Sequence, residues 1–498
     1  MTGAAAIVLS LVLPLAGALA AVLWPRRGGA AAAWTAAGMG LVGLVMLWSL
    51  AQGGMQELAI GGWAPPLGIR LRLDGLAGTL SAMTTLVMMA VIAVARTPHG
   101  GLGPREGRAA QGFWPLLLLL WGALVAVFLS RDLFNLYVGL ELLTLSAVAL
   151  VALGGKVETV AAALRYMIFA LFGSLLYLLG AVLLYAVHGT LDVVLLAEAV
   201  ADAEAAAPAT LLAGGLITAG LAVKTALFPF HAWLPPAHSG APAPASALLS
   251  ALVPKASFCI LLRLWFEALP PFAGAMTVNL LGLLGAAAIV YGSVLAMRQD
   301  RLKMIVAYST VAQLGYLFLV FPLAGGAAAA QPWAAGAWNG AIFHALSHGG
   351  AKAAMFLCAG LWIRAIGHDR LSGLDGVARA MPMTAFAFAL SAITLMGLPP
   401  SGGFTAKYLM MTSAFAAGQP GWSLVLAAGG LLAAGYLYRP MARAMARARP
   451  ETLTPVPRGA QAVALALALA AILLGVLSAG PIGLLDIDRP GAAEEGLQ

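Results

Sequence analysis

Apolar stretches of about 20 residues, the length a helix needs to cross the hydrocarbon of a bilayer, recur along the whole of this 498-residue chain. Lipid offers no partner to backbone N–H and C=O groups, so such stretches must fold as helices that satisfy their own hydrogen bonds. Fourteen spans are expected, near residues 4–24, 31–51, 75–95, 113–130, 133–153, 161–187, 208–232, 245–266, 276–297, 304–324, 335–363, 381–415, 420–440 and 460–483. The fold class is therefore an all-α polytopic membrane protein. Only 9% of the residues are charged and 62% are apolar, with a mean hydropathy of +0.94. A soluble domain is about a quarter charged, so an ordinary cytosolic enzyme is excluded. Cys259 and Cys358 fall in separate apolar spans and read as core packing. Two such cysteines suggest no disulfide framework, zinc cluster or thiolate-held iron–sulfur centre.

Successive loops alternate sides of the membrane, and the charges follow that alternation. Loops after odd-numbered spans hold 18 basic residues: Arg26, Arg27, Arg96, Arg105, Arg108, Lys156, Arg165, Arg298, Arg301, Lys303, Arg364, Arg370, Arg379, Arg439, Arg443, Arg447, Arg449 and Arg458. Loops after even-numbered spans, with the tail, hold five: Arg70, Arg72, Arg131, Arg263 and Arg489. The bias puts the odd loops inside and both termini outside, in what reads as a bacterial inner (plasma) membrane. The acidic run Asp192, Glu198, Asp202, Glu204 after span 6 fits an outer loop. The formal charge of +8 thus belongs to topology and needs no nucleic acid. The first span reads as retained, because residues 1–6 include no basic side chain and Arg26-Arg27 follow the apolar stretch.

Four of the 27 basic residues remain, and all are lysines inside spans: Lys224, Lys255, Lys352 and Lys407. Arginine keeps its proton in proteins, whereas a buried lysine can lose one. The choice of lysine suggests reversible protonation. A lysine near a helix end snorkels to the headgroups, but these sit many residues from the ends. Glu141 is the one carboxylate read as well inside a span. On insertion scales the four lysines and the glutamate cost on the order of 12 to 17 kcal/mol, more than structural ion pairing alone warrants. His344, His348 and Lys352 follow one another at four-residue intervals and share a helix face. A pair of histidines on one helix lacks the opposing ligand that a haem or metal site needs.

Two spans must break. One runs into Phe228-Pro229-Phe230-His231-Ala232-Trp233-Leu234-Pro235-Pro236, the other contains Gly397-Leu398-Pro399-Pro400-Ser401-Gly402-Gly403. Proline removes a donor and clashes with the preceding turn, so carbonyls freed at membrane depth must line protein or water. Each break has an embedded lysine nearby, Lys224 or Lys407, and five spans separate them. An odd offset inverts topology, so two inverted five-helix repeats are expected, each with one broken helix. The corresponding division is 1–110 for helices 1 to 3, 111–270 for helices 4 to 8, 271–445 for helices 9 to 13, and 446–498 for helix 14 and the tail.

Chains of Asp, Glu, His and Lys in hydrated interiors relay protons across membranes, so the sequence describes a proton or cation path without an engine. The chain has no phosphate-binding loop, dinucleotide fingerprint or cluster ligands. No cofactor is expected on it, and energy must come from an ion gradient or from redox subunits on separate chains.

The residues resemble the antiporter-like subunits shared by respiratory complex I, membrane-bound hydrogenases and Mrp-type Na+/H+ antiporters. The likeness runs through Asp132-Leu133-Phe134-Asn135-Leu136-Tyr137-Val138-Gly139-Leu140-Glu141, the stretch from Phe228 through His238 and Ser246 to Lys255, Asp300-Arg301-Leu302-Lys303 with Gln313-Leu314-Gly315-Tyr316, the His344, His348, Lys352 set and the segment from Gly397 to Lys407. The resemblance implies a fourteen-helix fold, a Glu141–Lys224 pair, and a polar axis through Lys255, His348, Lys352 and Lys407 joined by water-filled half-channels. It also implies neighbouring membrane subunits as partners, with protons, or protons and Na+, as cargo, and a translocase role for the assembled complex rather than catalysis by this chain. Leu58-Ala59-Ile60-Gly61-Gly62-Trp63 is similar to the D-type subunit of Mrp antiporters, while His231 and His238 are more like complex I or hydrogenase relatives. A stand-alone solute transporter and a passive membrane anchor are the alternatives.

Overall fold

The computed structural model describes residues 3–97, 107–201, 207–269, 274–329, 331–448 and 453–490. Arg105, Asp202, Glu204 and Arg449, read above as loop charges, lie outside the described residues. The chain opens with α1 (Gly3–Leu23) and α2 (Gly28–Gly53), then a hairpin of β1 (Gln56–Ala59) and β2 (Arg70–Leu73), then α3 (Gly75–Ala95). Next come α4 (Arg108–Leu129), α5 (Leu133–Ala152), α6 (Val157–His188), the short α7 (Val193–Ala201), α8 (Pro208–Lys224), α9 (Leu234–Gly240), α10 (Ala243–Ala251) and α11 (Val253–Arg263). The remainder is α12 (Ala275–Met297), α13 (Leu302–Leu317), α14 (Val320–Ala324), α15 (Pro332–Ile366), α16 (Val377–Ala380), α17 (Pro382–Met396), α18 (Gly402–Ala416), α19 (Pro420–Ala444), α20 (Arg458–Val476) and α21 (Ala479–Leu485).

Among the described residues, twelve helices are long and apolar enough to cross a membrane, and two shorter apolar ones, Pro208–Lys224 and Pro382–Met396, sit at the two proline breaks. The antiparallel hairpin, which periodicity did not reveal, sits in the expected loop after the second span. Helices α11, α13 and α15 form the centre, with nearly every side chain of α11 buried, while α1, α2, α6 and α19 expose faces rich in Leu, Val and Trp. Such faces suit lipid, whose tails are as apolar as leucine.

Small residues set the closest helix crossings. A Cβ on Gly220 of α8 would lie 2.4 Å from the Gly173 carbonyl oxygen of α6, and one on Gly173 would lie 2.8 Å from that of Gly220. The α12–α13 crossing repeats the device, with Gly285 and Gly315 each facing the other's carbonyl at 2.6 and 2.3 Å from the added Cβ. Only glycine lets the backbones approach so closely.

The entrances to α5 and α13 are built alike. An antiparallel bridge joins Asp132, just before α5, to Asp192, just after α6, with the amides of Leu133 and Val193 donating to the carbonyls of Leu191 and Arg131 at 2.9 and 2.7 Å. The second bridge joins Arg301, just before α13, to Arg370, just after α15, with Leu302 and Leu371 donating to Asp369 and Asp300 at 2.7 and 2.9 Å. Ion pairs follow the expected alternation of loops. Arg70–Asp192, Arg72–Asp488, Arg131–Glu267 and Arg263–Asp74 join segments expected after even-numbered spans, whereas Arg301–Asp369, Arg439–Asp300 and Arg443–Asp375 join segments expected after odd-numbered ones.

Candidate proton-relay site

The α8 helix ends at Lys224 because Pro229 and the turn before it cannot continue the ladder. The lysine is thereby held at the break, where its Nζ donates to Glu141 Oε1 of α5 at 3.1 Å and to Thr144 Oγ1 at 3.0 Å. Ser174 of α6 donates to the same Glu141 oxygen. Trp233 Nε1 donates at 3.0 Å to the Val223 carbonyl, which also accepts from the Ala226 amide at 3.1 Å. A small cavity beside Lys224 is lined by Thr144, Tyr166 and Ser257, and Thr225 Oγ1 donates to Ser257 Oγ at 2.8 Å. This polar step points toward α11.

Lys255, two residues before Ser257, is fully buried. Its Nζ lies 2.6 Å from His348 Nδ1 and donates to the Ser250 carbonyl at 2.8 Å, next to the kink at Leu252 between α10 and α11. His348 and His344 stack along α15 with ring centroids 5.8 Å apart, and His344 Nε2 meets the Gln313 carbonyl at 3.0 Å. Tyr316 lies 5.1 Å from the His344 ring centroid, and its hydroxyl accepts from Lys407 Nζ at 3.4 Å. Lys407 also donates to the Met396 and Leu395 carbonyls at 2.9 and 3.2 Å, the groups freed where α17 ends. Each broken helix thus leaves carbonyls that a side-chain donor occupies, as a dry interior requires.

Of the seven residues singled out from the sequence, Glu141 meets Lys224, Lys255 meets His348, His348 stacks on His344 and Tyr316 stands between His344 and Lys407, while Lys352 is placed elsewhere. Lys352 does not bond His348, as a common helix face suggested; it donates to the Val306 carbonyl at 2.9 Å and to Ser309, both on α13. The histidine's partner is Lys255 from α11. Lys352 forms a side branch, fully buried one turn along α15. Among the described residues only Lys224 of these four lysines pairs with a carboxylate, and no three His, Cys, Asp or Glu side chains converge as metal ligands would.

Sequence reasoning missed a second charged cluster. The sequence places Arg131 and Arg263 among loop charges, yet both are fully buried, and both bind Asp74, the N-cap of α3. Arg263 Nη1 lies 2.8 Å from Asp74 Oδ2, and Arg131 Nη1 lies 2.7 Å from Glu267 Oε2. Burial pushes the Asp74 carboxyl up, but the two guanidinium groups and the hydrogen bonds from Arg263 and Ala77 outweigh it and hold it at about 2. The cluster ties the start of α5, which carries Glu141, to the end of α11, which carries Lys255, and both to the start of α3. Lys303 is likewise buried rather than in a loop, donating to the Ala241 carbonyl at 2.5 Å. The one sequence signal was Glu267, four residues after Arg263.

Residues 130–433 match the family described as NADH:quinone oxidoreductase/Mrp antiporter, TM. The N-type subunit of NADH-quinone oxidoreductase from Desulforudis audaxviator is 37% identical over 472 residues, 91% of this chain and 90% of the relative. The D-type subunit of the Na(+)/H(+) antiporter from Alkalihalophilus pseudofirmus is 28% identical over 381 residues, 76% of this chain and 73% of the relative. A chain in the structure of the Mrp complex from Dietzia sp. DQ12-45-1b superposes with a TM-score of 0.86 at 24% identity, covering 99% of both chains, which is a likeness of fold. With the matched segment running from the entrance of α5 into α19, and so through all seven of these residues, this multi-pass membrane protein belongs to the NADH:quinone oxidoreductase/Mrp antiporter transmembrane family.

Proposed function

We propose that the chain is a proton-translocating subunit of a multi-subunit membrane complex of the complex I or Mrp cation/proton antiporter type. Protons pass along Glu141, Lys224, the Thr225–Ser257 step, Lys255, His348, His344 and Lys407, with Lys352 as a side branch. The observation that carries this reading is the 2.6 Å contact between Lys255 and His348, which joins the half of the line around the first break to the half around the second. Both groups titrate, and both are buried. A proton arriving on one of two neighbouring bases repels a proton on the other, because like charges interact strongly where water is excluded. Glu141 and Lys224 act as the loading pair: with the ion pair closed the proton stays on lysine, and with it open the lysine releases the proton.

The protein holds fourteen spans, with α4 to α11 and α12 to α19 as inverted repeats. The paired bridges Asp132/Asp192 and Arg301/Arg370, together with ion pairs confined to loops of one parity, support this. Both termini face outward from a bacterial inner membrane, in line with the 18 to 5 distribution of basic residues. Neighbouring chains supply the redox chemistry or the exchanged cation. The test is proton or Na+ transport by the assembled complex in vesicles carrying Glu141→Ala or Lys224→Ala. Transport should fall about tenfold or more while the complex still assembles; unchanged transport would reduce the protein to a passive anchor.

A further inference from the structure

The two corners that carry the matching bridges differ in charge, and the difference points to a ligand. At the ends of α4, α6 and α11 the bridge residues are acidic, Asp132 and Asp192, and the neighbouring arginines, Arg131 and Arg263, are neutralised in place by Asp74 and Glu267. At the ends of α12, α15 and α19 the bridge residues are Arg301 and Arg370, and the corner is an open pocket of about 770 Å3. Arg301, Arg370, Arg439, Arg443, Tyr438 and Asp300 line it.

The carboxylates there range from Asp369, 17% exposed, and Asp375, 33% exposed, to Asp300 at the rim. Arg301 meets Asp369 at 2.8 Å, Arg439 meets Asp300 at 3.2 Å with Asp300 88% exposed, and Arg443 meets Asp375 at 3.1 Å. The Arg439–Asp300 and Arg443–Asp375 pairs hold their partners weakly, and the Arg301 side chain is itself 53% exposed. Arg370 is exposed and has no ion-pair partner among the described residues. Four arginines against Asp300, Asp369 and Asp375 leave the corner net positive, with guanidinium forks that match phosphate oxygens.

A second feature runs from the pocket along the membrane. Leu424, Leu431 and Tyr438 of α19 are 72%, 77% and 72% exposed, and their seven-residue spacing puts them on one helix face. Tyr438 stands where that apolar track meets the arginines. By the distribution of basic residues this is the inner face of the membrane, where the leaflet is anionic.

We propose that this corner binds the headgroup phosphate of an anionic phospholipid, with Arg370, Arg301 and Arg443 on the phosphate oxygens and an acyl chain along Tyr438, Leu431 and Leu424. The proposal stands apart from the relay and would survive its failure.

The experiment is native mass spectrometry of the assembled complex, delipidated in mild detergent and titrated with cardiolipin, with phosphatidylethanolamine, or with cardiolipin in the presence of inorganic phosphate. One saturable cardiolipin adduct should form that phosphatidylethanolamine does not reproduce and millimolar phosphate does not displace. In R370A/R443A its affinity should fall about tenfold or more, while R165A, which removes an exposed arginine of α6, should leave it unchanged. Equal cardiolipin binding by wild type and R370A/R443A would overturn the proposal. Displacement by inorganic phosphate would make the corner a free-anion site instead, and loss of a neighbouring subunit from R370A/R443A would make it a protein interface; either result refutes the lipid assignment.

Discussion

Replacing Asp74 by asparagine removes one negative charge from between two fully buried arginines and changes little else. Asparagine keeps an oxygen for the α3 cap, which now accepts from the Ala77 amide at 2.7 Å. Arg131 keeps Glu267 at 2.7 Å, and Arg263 keeps the Phe128 carbonyl at 3.0 Å with Glu267 at 3.5 Å. The loss is therefore that of the charge itself. Folding lowers the Asp74 carboxyl from 3.8 to about 2, which corresponds to about 2 kcal/mol by linkage. Breaking a buried pair outright costs about 3 to 5 kcal/mol, and the remaining Glu267 places D74N near the lower value. The assay is the thermal midpoint of the purified complex in mild detergent, compared with D375N. Asp375 pairs with Arg443 at 3.1 Å, but the two side chains are 33% and 56% exposed, so D375N should cost less than about 1 kcal/mol. D74N should melt several degrees below both wild type and D375N, and a cycle with Arg263→Gln should show strong coupling. If D74N melts with D375N, the buried cluster does not hold the ends of α3, α5 and α11 together.

The same carboxyl sets an acid limit. Its folded-state pKa is depressed, so its stabilisation is complete above the ordinary value near 3.8 and is lost as pH falls through about 2; the gap between wild type and D74N in thermal midpoint should close over that window. Gly220→Val should overpack the α6–α8 crossing, where even a Cβ meets the Gly173 carbonyl oxygen at 2.4 Å. It should cost about 1 to 3 kcal/mol or more and reduce the yield of monodisperse protein by gel filtration, while Gly421→Ala, with open space around it, should not. Trp233→Phe removes the 3.0 Å donor to the Val223 carbonyl but leaves the Ala226 amide on it at 3.1 Å, so the thermal midpoint should fall by the equivalent of about 0.5 to 1.5 kcal/mol.

The sequence exposes some of these features and hides others for physical reasons. Lys224, Lys255, Lys352, Lys407 and Glu141 stand out because each is a charge inside an apolar run, a signal that needs no knowledge of tertiary contacts. The breaks at Pro229 and Pro399-Pro400 are equally local, since the ring of proline forbids the helix whatever surrounds it. Arg131 and Arg263 escaped notice because span ends look the same whether they face water or a buried carboxylate. Their partner Asp74 is 57 and 189 residues away in the chain, and no periodicity connects them. The hairpin β1–β2 is four residues to a strand, too short to show its alternation. Within α15, four-residue spacing placed His344, His348 and Lys352 on one face, but helix geometry alone could not show that α13 would take Lys352 and α11 would supply the histidine's lysine.

The account depends most on the junction between Lys255 and His348, where the two halves of the line meet. Proton uptake by vesicles containing the assembled complex with Lys255→Met tests it most directly, with complex assembly checked in parallel. The relay predicts transport reduced about tenfold or more in a complex that assembles normally, whereas wild-type transport by the Lys255→Met complex would contradict it.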